Sequence, residues 1–239
     1  MYLLIDAGNS RIKYAWHDSQ HWLGHDSCST DRPQLMLPPN LSVTRIVASN
    51  VAGSAVAEAL QTELTPLAAP IDIEWLKASA ERCGVRCAYP DPARLGADRW
   101  AAVIAAWHRT RSDCLVVCAG TATTVDLVRA DGQHLGGCIL PGLGLMRESL
   151  AQSTASLPET GGEFRLPAIN TADAIATGCL LAQLGAINAQ HQQLSGAAPI
   201  LLTGGHAPAL LPLCGTQASH QPTLILDGLL QVATSELPC

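Results

Sequence analysis

A short stretch near the start of the chain, DAGNSRIK, combines residue types that suit binding of a charged phosphate group. Asp6 offers a hard oxygen ligand for a hydrated Mg²⁺ ion, and Lys13 offers a positive charge. Gly8 and Asn9, which lie between them, favour a tight turn, and a glycine there permits positive φ and lets a ligand approach the backbone. The stretch therefore predicts a turn that presents a carboxylate and an ammonium group to a phosphate.

A second stretch, LVVCAGTATTVDLV from Leu115, has the same outline of an apolar run, an Ala-Gly pair, a small polar residue and a second apolar run. Aligning the two turns places Cys118 on Asp6, Gly120 on Gly8, and Thr121 on Asn9. Two such turns facing each other across a cleft would resemble the paired turns with which one superfamily of phosphotransfer proteins holds the polyphosphate tail of ATP from two sides.

Apolar patterns then predict the elements that position these turns. Strands are expected at YLLID, RIKYAW, RIVASN, IDIEWL, CLVVCAG, TATTVDLV, QHLGGCIL, PILLTGG and TLILDG. Apolar residues at helical spacing predict helices over 53–63, 97–109, 143–155 and 171–194. The order of strands followed by helices occurs twice, with the second round beginning near Asp113. We therefore expect an α/β protein with two similar lobes, residues 1–112 and 113–239.

The composition narrows the class of partner. The chain has 239 residues, 48% of them hydrophobic, and a formal net charge of −6 with no cluster of lysines and arginines. These features disfavour a nucleic acid or an anionic membrane as partner, because both need a positive surface. We find no apolar run of 18 residues and no signal peptide, so we expect a cytoplasmic protein that binds a small molecule. P-loop, dinucleotide and nucleophile-elbow motifs are not found.

Cysteines and histidines invite a metal interpretation that the spacing does not favour. The nine cysteines are scattered through apolar runs, which is typical of reduced thiols in a core rather than of zinc ligands. His17, His21 and His25 are four residues apart, but they fall where a hairpin turn and the next strand are expected. Strand geometry does not gather residues at that spacing.

Five motifs, taken in their order over nearly the whole chain, resemble the type III pantothenate kinases, a branch of the acetate kinase, sugar kinase and heat-shock ATPase superfamily. They are DAGNSRIK, GADRW, AGTATTVD, GGCILPGLGLM and LTGG. The resemblance implies two ribonuclease H-like lobes with an ATP cleft between them. It also implies ATP-dependent phosphorylation of pantothenate to 4′-phosphopantothenate, the first step towards coenzyme A. Mg²⁺, a monovalent cation (K⁺ or NH₄⁺) and a homodimer are implied as well.

The resemblance also implies roles for individual residues. Those that match the ATP and phosphate motifs are Asp6, Gly8, Asn9, Lys13, Gly120, Thr121, Thr124, Gly204 and Gly205. Those that match the pantothenate site are Tyr89, Gly96, Asp98, Arg99 and, reaching in from the neighbouring subunit, Thr171. Among these, Asp98 corresponds to the general base and Asp6 to the Mg²⁺ ligand, and Asp126 matches the acid that binds the monovalent cation.

Several alternatives remain open at this stage. Asp98 could be the N-cap of its helix, and Asp6 could simply end a strand. Lys13 could be a solvated strand residue, Asp126 a paired surface acid and Tyr89 a packed loop aromatic. Cys118 departs from the superfamily, which often has an aspartate there; a thiol is a poor Mg²⁺ ligand, so metal binding would depend more on Asp6. The function could also be that of another kinase or phosphohydrolase of the superfamily, or of a non-catalytic regulatory protein.

Overall fold

The structure is a computed structural model that describes residues 1–38, 41–65, 72–153, 161–194 and 196–235. Its strands are β1 (Tyr2–Ala7), β2 (Arg11–His17), β3 (Trp22–Ser29), β4 (Arg45–Asn50), β5 (Ile73–Trp75), β6 (Glu81–Arg82), β7 (Val85–Cys87), β8 (Cys114–Ala119), β9 (Ala122–Val128), β10 (Gln133–Pro141), β11 (Ile200–Thr203) and β12 (Ala218–His220). Its α-helices are α1 (Ser54–Leu64), α2 (Ala97–Thr110), α3 (Leu143–Ser153), α4 (Thr171–His191), α5 (Ala207–Leu210) and α6 (Leu224–Thr234).

The chain forms two compact units. The first unit consists of Met1–Arg109 and Thr223–Cys239, and the second unit of Thr110–Pro222. The predicted boundary between residues 112 and 113 lies near Arg109, after which the chain first passes from one unit to the other. The predicted C-terminal lobe ran to residue 239, whereas the structure groups α6 with the first unit, where it packs on β1 and β4.

In the first unit, five strands pair in the order β3-β2-β1-β4-β5. β1 is antiparallel to β2 and parallel to β4. Alternate residues of β1, beginning with Leu3, enter a core that also receives Leu60 and Leu64 of α1. Because strand side chains alternate between faces, Asp6 points to the opposite face of this sheet.

In the second unit, five strands pair in the order β12-β11-β8-β9-β10. β8 is antiparallel to β9 and parallel to β11, so the pairing repeats that of β1 with β2 and β4. The core of this unit lies between the sheet and α4, whose buried residues include Leu180, Leu184 and Ile187. The shared topology confirms the prediction of two similar α/β halves.

The prediction of a strand at TLILDG is wrong, because this segment is the start of α6. The apolar run continues beyond Gly228 with helical spacing, so that Leu229 and Val232 are buried on the same helix as Leu224. Gly228 marks a close helix contact rather than the end of a strand. A Cβ atom there would lie 1.9 Å from the carbonyl oxygen of Ala101 in α2.

Among the described residues, α4 is long and apolar enough to cross a membrane by length and composition alone. Nearly half of its apolar window, 44%, is buried inside the fold. Its contacts with α3 and with β8, β9 and β10 make it a core helix of the second unit.

Candidate active site

The first turn, between β1 and β2, is closed by backbone and side-chain hydrogen bonds. The Gly8 N–H donates to the Arg11 carbonyl at 3.1 Å, and the Thr30 hydroxyl donates to the Gly8 carbonyl at 2.7 Å. Gly8 does not take a left-handed conformation, so the positive φ considered for it is not used. Asn9 is exposed beside it, and Lys13 is half-buried on β2. The turn therefore presents Asn9 to solvent from a fixed backbone.

Asp6 is the buried acid of this turn, with 7% of its surface exposed. Its Oδ1 atom accepts a hydrogen bond of 2.9 Å from Ser49 on β4, and Lys13 is its partner across β2. Burial and then the negative charge of Asp98 raise the pKa of Asp6 to about 6, while Ser49 and Lys13 act in the opposite direction. The fold thus brings Asp6, Lys13 and Asp98 into electrostatic contact.

Asp98 lies in the first turn of α2 but is not its N-cap. The Gly96 carbonyl accepts the first helical hydrogen bond, from Trp100 N at 3.0 Å, which makes Gly96 the capping position. Asp98 instead accepts a bond of 2.8 Å from Arg99 N. A Cβ on Gly96 would lie 2.7 Å from Asp98 Oδ1, so the missing side chain makes room for this carboxylate.

Arg99 and Tyr89 also lie together. Arg99 is buried, and its guanidinium donates to the Tyr89 hydroxyl at 3.2 Å. The guanidinium carbon is 6.0 Å from the centre of the tyrosine ring. Tyr89 therefore contacts Arg99 at the start of α2, which is compatible both with a packed loop aromatic and with the predicted substrate site.

The second turn, between β8 and β9, is enclosed by glycine backbone. Gly142 N donates to the Thr121 carbonyl at 3.0 Å, and a Cβ on Gly142 would lie 2.2 Å from the Gly120 carbonyl oxygen. Gly204 has a φ of +95°, and a Cβ there would lie 2.3 Å from the Ala119 carbonyl oxygen. The fold therefore gathers Gly120, Thr121 and Gly204, and Gly205 follows as an exposed neighbour.

Two contacts of the second turn were not anticipated from the sequence. His206 N donates to the Ala119 carbonyl at 3.0 Å, and its ring Nδ1 lies 3.3 Å from the Gly120 carbonyl. The second unanticipated contact is that of Gly142 with the Thr121 carbonyl. Both residues stand in or next to the quoted glycine-rich motifs, GGCILPGLGLM and LTGG, and that position was the available signal.

Beyond the second turn, Thr124 carries a hydroxyl suited to a phosphate. Thr124 is 8% exposed, and its Oγ1 atom has no hydrogen-bond partner within the described residues. It pairs across the ladder with Cys118, so both side chains lie on the same face of the sheet. A buried hydroxyl without a partner is costly, and the Oγ1 atom of the neighbouring Thr123 lacks a partner in the same way.

Asp126 forms a buried pair with His134, which the sequence did not reveal. His134 Nε2 lies 2.9 Å from Asp126 Oδ1, and the two side chains are 0% and 1% exposed. A register shift between His134 and Gly136 interrupts the pairing of β10 with β9 next to this contact. Asp126 is therefore a paired acid, but the alternative that placed it at the surface is wrong because it lies in the interior.

Thr171 begins α4 and is exposed, with Asn170 as the N-cap that accepts from Asp173 N at 2.9 Å. It lines an apolar groove between α3 and α4, together with Met146, Leu150 and Ile175.

The three N-terminal histidines occupy the hairpin, as predicted. His17 ends β2, His21 lies in the turn, and His25 is on β3. The ring of His17 accepts a hydrogen bond of 3.0 Å from Ser19 N and packs edge-on against Trp22. Within the described ranges, no three His, Cys, Asp or Glu residues are grouped as a metal site would require.

Sequence comparison places these features in a known family. A family model described as type III pantothenate kinase matches residues 2–193. A type III pantothenate kinase of Aromatoleum aromaticum is 45% identical and is aligned over 99% of both chains. That of an Azoarcus species is 42% identical, over 99% of this chain and 92% of the relative.

Comparison with solved structures supports the fold. A Campylobacter jejuni protein described as a conserved Baf family transcriptional activator superposes with a TM-score of 0.65 at 23% identity, over 96% of each chain. A Sinorhizobium meliloti protein described as a 2-dehydro-3-deoxygalactonokinase gives a TM-score of 0.62 at 16% identity, over 98% of each. At these identities the likeness concerns the fold alone. The family model and the full-length relatives establish that the chain belongs to the type III pantothenate kinase family.

Proposed function

We propose that the chain transfers the γ-phosphoryl group of ATP to the terminal hydroxyl of pantothenate, giving 4′-phosphopantothenate for coenzyme A biosynthesis. Membership of the family supports the reaction. The observation that carries the assignment to residues is the buried setting of Asp6, whose pKa is raised first by burial and then by the negative charge of Asp98. Two neighbouring carboxylates in unlike surroundings suit two different roles.

Asp98 is the proposed general base. It is half-buried at the start of α2, where Gly96 leaves space beside its Oδ1 atom. In this role it accepts the proton of the pantothenate hydroxyl as the oxygen attacks phosphorus. Arg99 and Tyr89, bonded to one another, would orient the substrate, and a guanidinium suits the carboxylate end of pantothenate.

Asp6 is the proposed magnesium ligand. Its carboxylate is an oxygen donor of the class that Mg²⁺ prefers, and only its Oδ1 atom is bonded to a described residue, namely Ser49. When bound, Mg²⁺ offsets the negative charge of the nucleotide phosphates. Lys13 adds positive charge beside Asp6, while the Thr124 hydroxyl and the glycine-lined second turn offer contacts that fit phosphate and adenosine.

Asp126 is the proposed ligand of a monovalent cation, K⁺ or NH₄⁺. Its carboxylate is of the right chemical class, but Oδ1 is already bonded to His134. Replacing Asp126 by alanine would leave His134 without this buried partner, so Asp126→Asn is the cleaner variant. We expect it to fold and to lose activation by K⁺, measured as ADP release during a salt titration. An unchanged half-saturating K⁺ concentration would place the cation elsewhere.

A homodimer is proposed through the groove between α3 and α4. Apolar side chains on these two helices and just before α4 are exposed, including Leu145 at 41%, Leu181 at 44% and Ile169 at 88%. Thr171, at the same groove, would then reach the pantothenate pocket of the partner subunit. A second copy of the chain is the occupant that the family resemblance implies.

Mixed dimers test the shared pocket. Asp98→Asn and Thr171→Arg are each expected to inactivate their own homodimer. In a mixed dimer both lesions fall in one pocket and the other is intact, so random mixing should restore about a quarter of parental activity. Mass spectrometry would verify that mixed dimers form. Verified mixed dimers without recovered turnover would contradict the shared pocket.

The decisive assay for the reaction is ADP release by the purified protein with pantothenate, with and without K⁺. A panel of sugars, and polyphosphate as donor, separates pantothenate kinase activity from the other activities of the superfamily. No ADP release with any acceptor would favour the regulatory alternative. The reaction also fits a cytoplasmic location, where ATP and pantothenate are both present.

A further inference from the structure

Ser49 is the residue that fixes the orientation of the Asp6 carboxylate. It lies near the end of β4, is 0% exposed, and is the register partner of Asp6 on the parallel neighbour β1. Its hydroxyl donates to Asp6 Oδ1 at 2.9 Å. Ser49 and Asp6 are 43 residues apart in sequence, and strand pairing alone brings them together.

This bond treats the two carboxylate oxygens differently. Within the described residues, the Ser49 bond is the one hydrogen bond that the Asp6 side chain accepts, and it goes to Oδ1. The Oδ2 atom accepts none, although Asp6 is only 7% exposed. Oδ2 is not one of the described buried polar atoms that lack a partner, so it keeps some accessible surface. Ser49 therefore holds Oδ1 and leaves Oδ2 open to a bound group.

The position of Lys13 indicates how the Asp6 carboxylate would move without Ser49. Asp6 lies between Ser49 on β4 and Lys13 on β2, since all three are register partners on adjacent strands. Lys13 attracts the carboxylate through its charge, whereas Ser49 holds it by a directed bond. Without the serine hydroxyl, the carboxylate would be free to rotate towards Lys13.

We propose that Ser49 is a positioning residue for the metal–nucleotide site, which holds Asp6 so that Oδ2 faces the cation. This inference rests on the proposed function of Asp6. Partners that orient a metal ligand commonly change metal affinity or activity by 10–100-fold when removed. Ser49→Ala should therefore weaken metal binding by about 10-fold, whereas a merely structural serine would alter stability alone.

The experiment measures Mn²⁺ binding by electron paramagnetic resonance, with the full-length protein and a non-hydrolysable ATP analogue. Ser49→Ala should raise the dissociation constant for Mn²⁺ about 10-fold. It should also raise the Mg²⁺ concentration for half-maximal turnover, with the KM for pantothenate unchanged. Ser49→Thr, which keeps the hydroxyl, should recover most of the affinity.

Two controls make the result interpretable. Ser79→Ala removes an exposed hydroxyl bond of the same length in the first unit, to the Glu81 carbonyl at 2.9 Å, and should leave Mn²⁺ affinity unchanged. If Ser49→Ala does not fold, Ser49→Cys, which keeps a similar volume with a weaker donor, replaces it. Parental Mn²⁺ affinity in the folded Ser49 variant would overturn the proposal.

The variant Asp6→Asn distinguishes the proposed metal role of Asp6 from the proposed positioning role of Ser49. If it weakens Mn²⁺ binding and Ser49→Ala does not, the role of Ser49 is wrong and that of Asp6 stands. Parental Mn²⁺ affinity in both variants would remove the proposed metal role of Asp6 and the inference with it.

Discussion

The two strand–turn–strand elements share a topology but present different chemistry. The first turn carries a buried acid, Asp6, with Lys13 across the ladder and Asp98 close enough to influence its pKa. At the equivalent position the second turn carries Cys118, and its environment is backbone contributed by Gly142 and Gly204. One copy of the turn is thus organised around charge and the other around close backbone approach.

The glycines show the same division. A Cβ on Gly8 or Gly120, the glycines of the turns themselves, would lie 3.2 Å and 3.6 Å from the nearest atoms. A Cβ on Gly142 or Gly204 would lie 2.2 Å and 2.3 Å from backbone oxygens of the second turn. Steric need for glycine is therefore greatest in the segments that enclose the second turn, rather than in either turn.

The largest effect on turnover is expected from the charged residues around the first turn. Asp98→Asn keeps the shape of the side chain but cannot accept the proton, so kcat should fall by roughly 10²–10⁴-fold. ATP binding, measured by calorimetry, should persist. Turnover within a few-fold of the parent would show that Asp98 is not the base.

The burial of Asp6 predicts a stability that depends on pH. Its pKa rises from 3.8 to about 6 on folding, so the folded chain holds this proton more tightly than the unfolded chain. Stability should therefore fall as pH rises from about 4 to about 6, by roughly 3 kcal/mol at most for this group. Asp6→Asn removes the penalty.

Urea unfolding without Mg²⁺ would test this. The Asn variant should be more stable than the parent at pH 7 and gain little at pH 4, while losing activity. Asp31→Asn, an exposed acid of the first unit, is the matched control and should show no such difference. An equal gain at both pH values would mean that ionisation of Asp6 is not the cause.

The backbone half is tested by a pair of glycines two residues apart. Gly142→Ala forces a methyl group against the Gly120 and Thr121 carbonyls and should destabilise the protein by about 1–3 kcal/mol and raise the KM for ATP. Gly144→Ala meets only the His206 ring at 3.8 Å, within α3, and should be neutral or slightly stabilising. Equal melting temperatures and KM values for the two variants would contradict the enclosure of the second turn.

The smallest effect is expected at Cys118. A thiol is a poor ligand for Mg²⁺, so Cys118→Ser exchanges one weak ligand for another neutral group. The half-saturating Mg²⁺ concentration should change less than about threefold. A larger change would give the second turn a part in metal binding and weaken the contrast between the halves.

Local pattern was sufficient for most elements and failed at one unusual turn and at one segment where a contact distant in sequence matters. The strand at 45–50 and the helix beginning at Ala97 were predicted at their observed starts. The hairpin of β6 and β7 was not predicted, because its turn uses Cys83 at φ 51° with Gly84, whereas Asn-Gly is the usual signal. At TLILDG, Gly228 was interpreted as the end of a strand. Glycine is needed there because the backbone of Ala101, in another helix, leaves no space for a Cβ atom.

The sequence by itself determined the two turns, one after Asp6 and the other after Cys118, and the start of α2 with Asp98. It also determined the alternation of side chains along β1, which places Asp6 on the face opposite to the core that contains α1. These depend on spacing within a few residues, which periodicity and turn chemistry report directly. Only the tertiary structure decided that Ser49 bonds Asp6, that His134 is buried against Asp126, and that Gly142 and Gly204 enclose the second turn. Each of these contacts depends on strand register, a bulge or close backbone approach, and none of those is encoded by a local pattern at either residue.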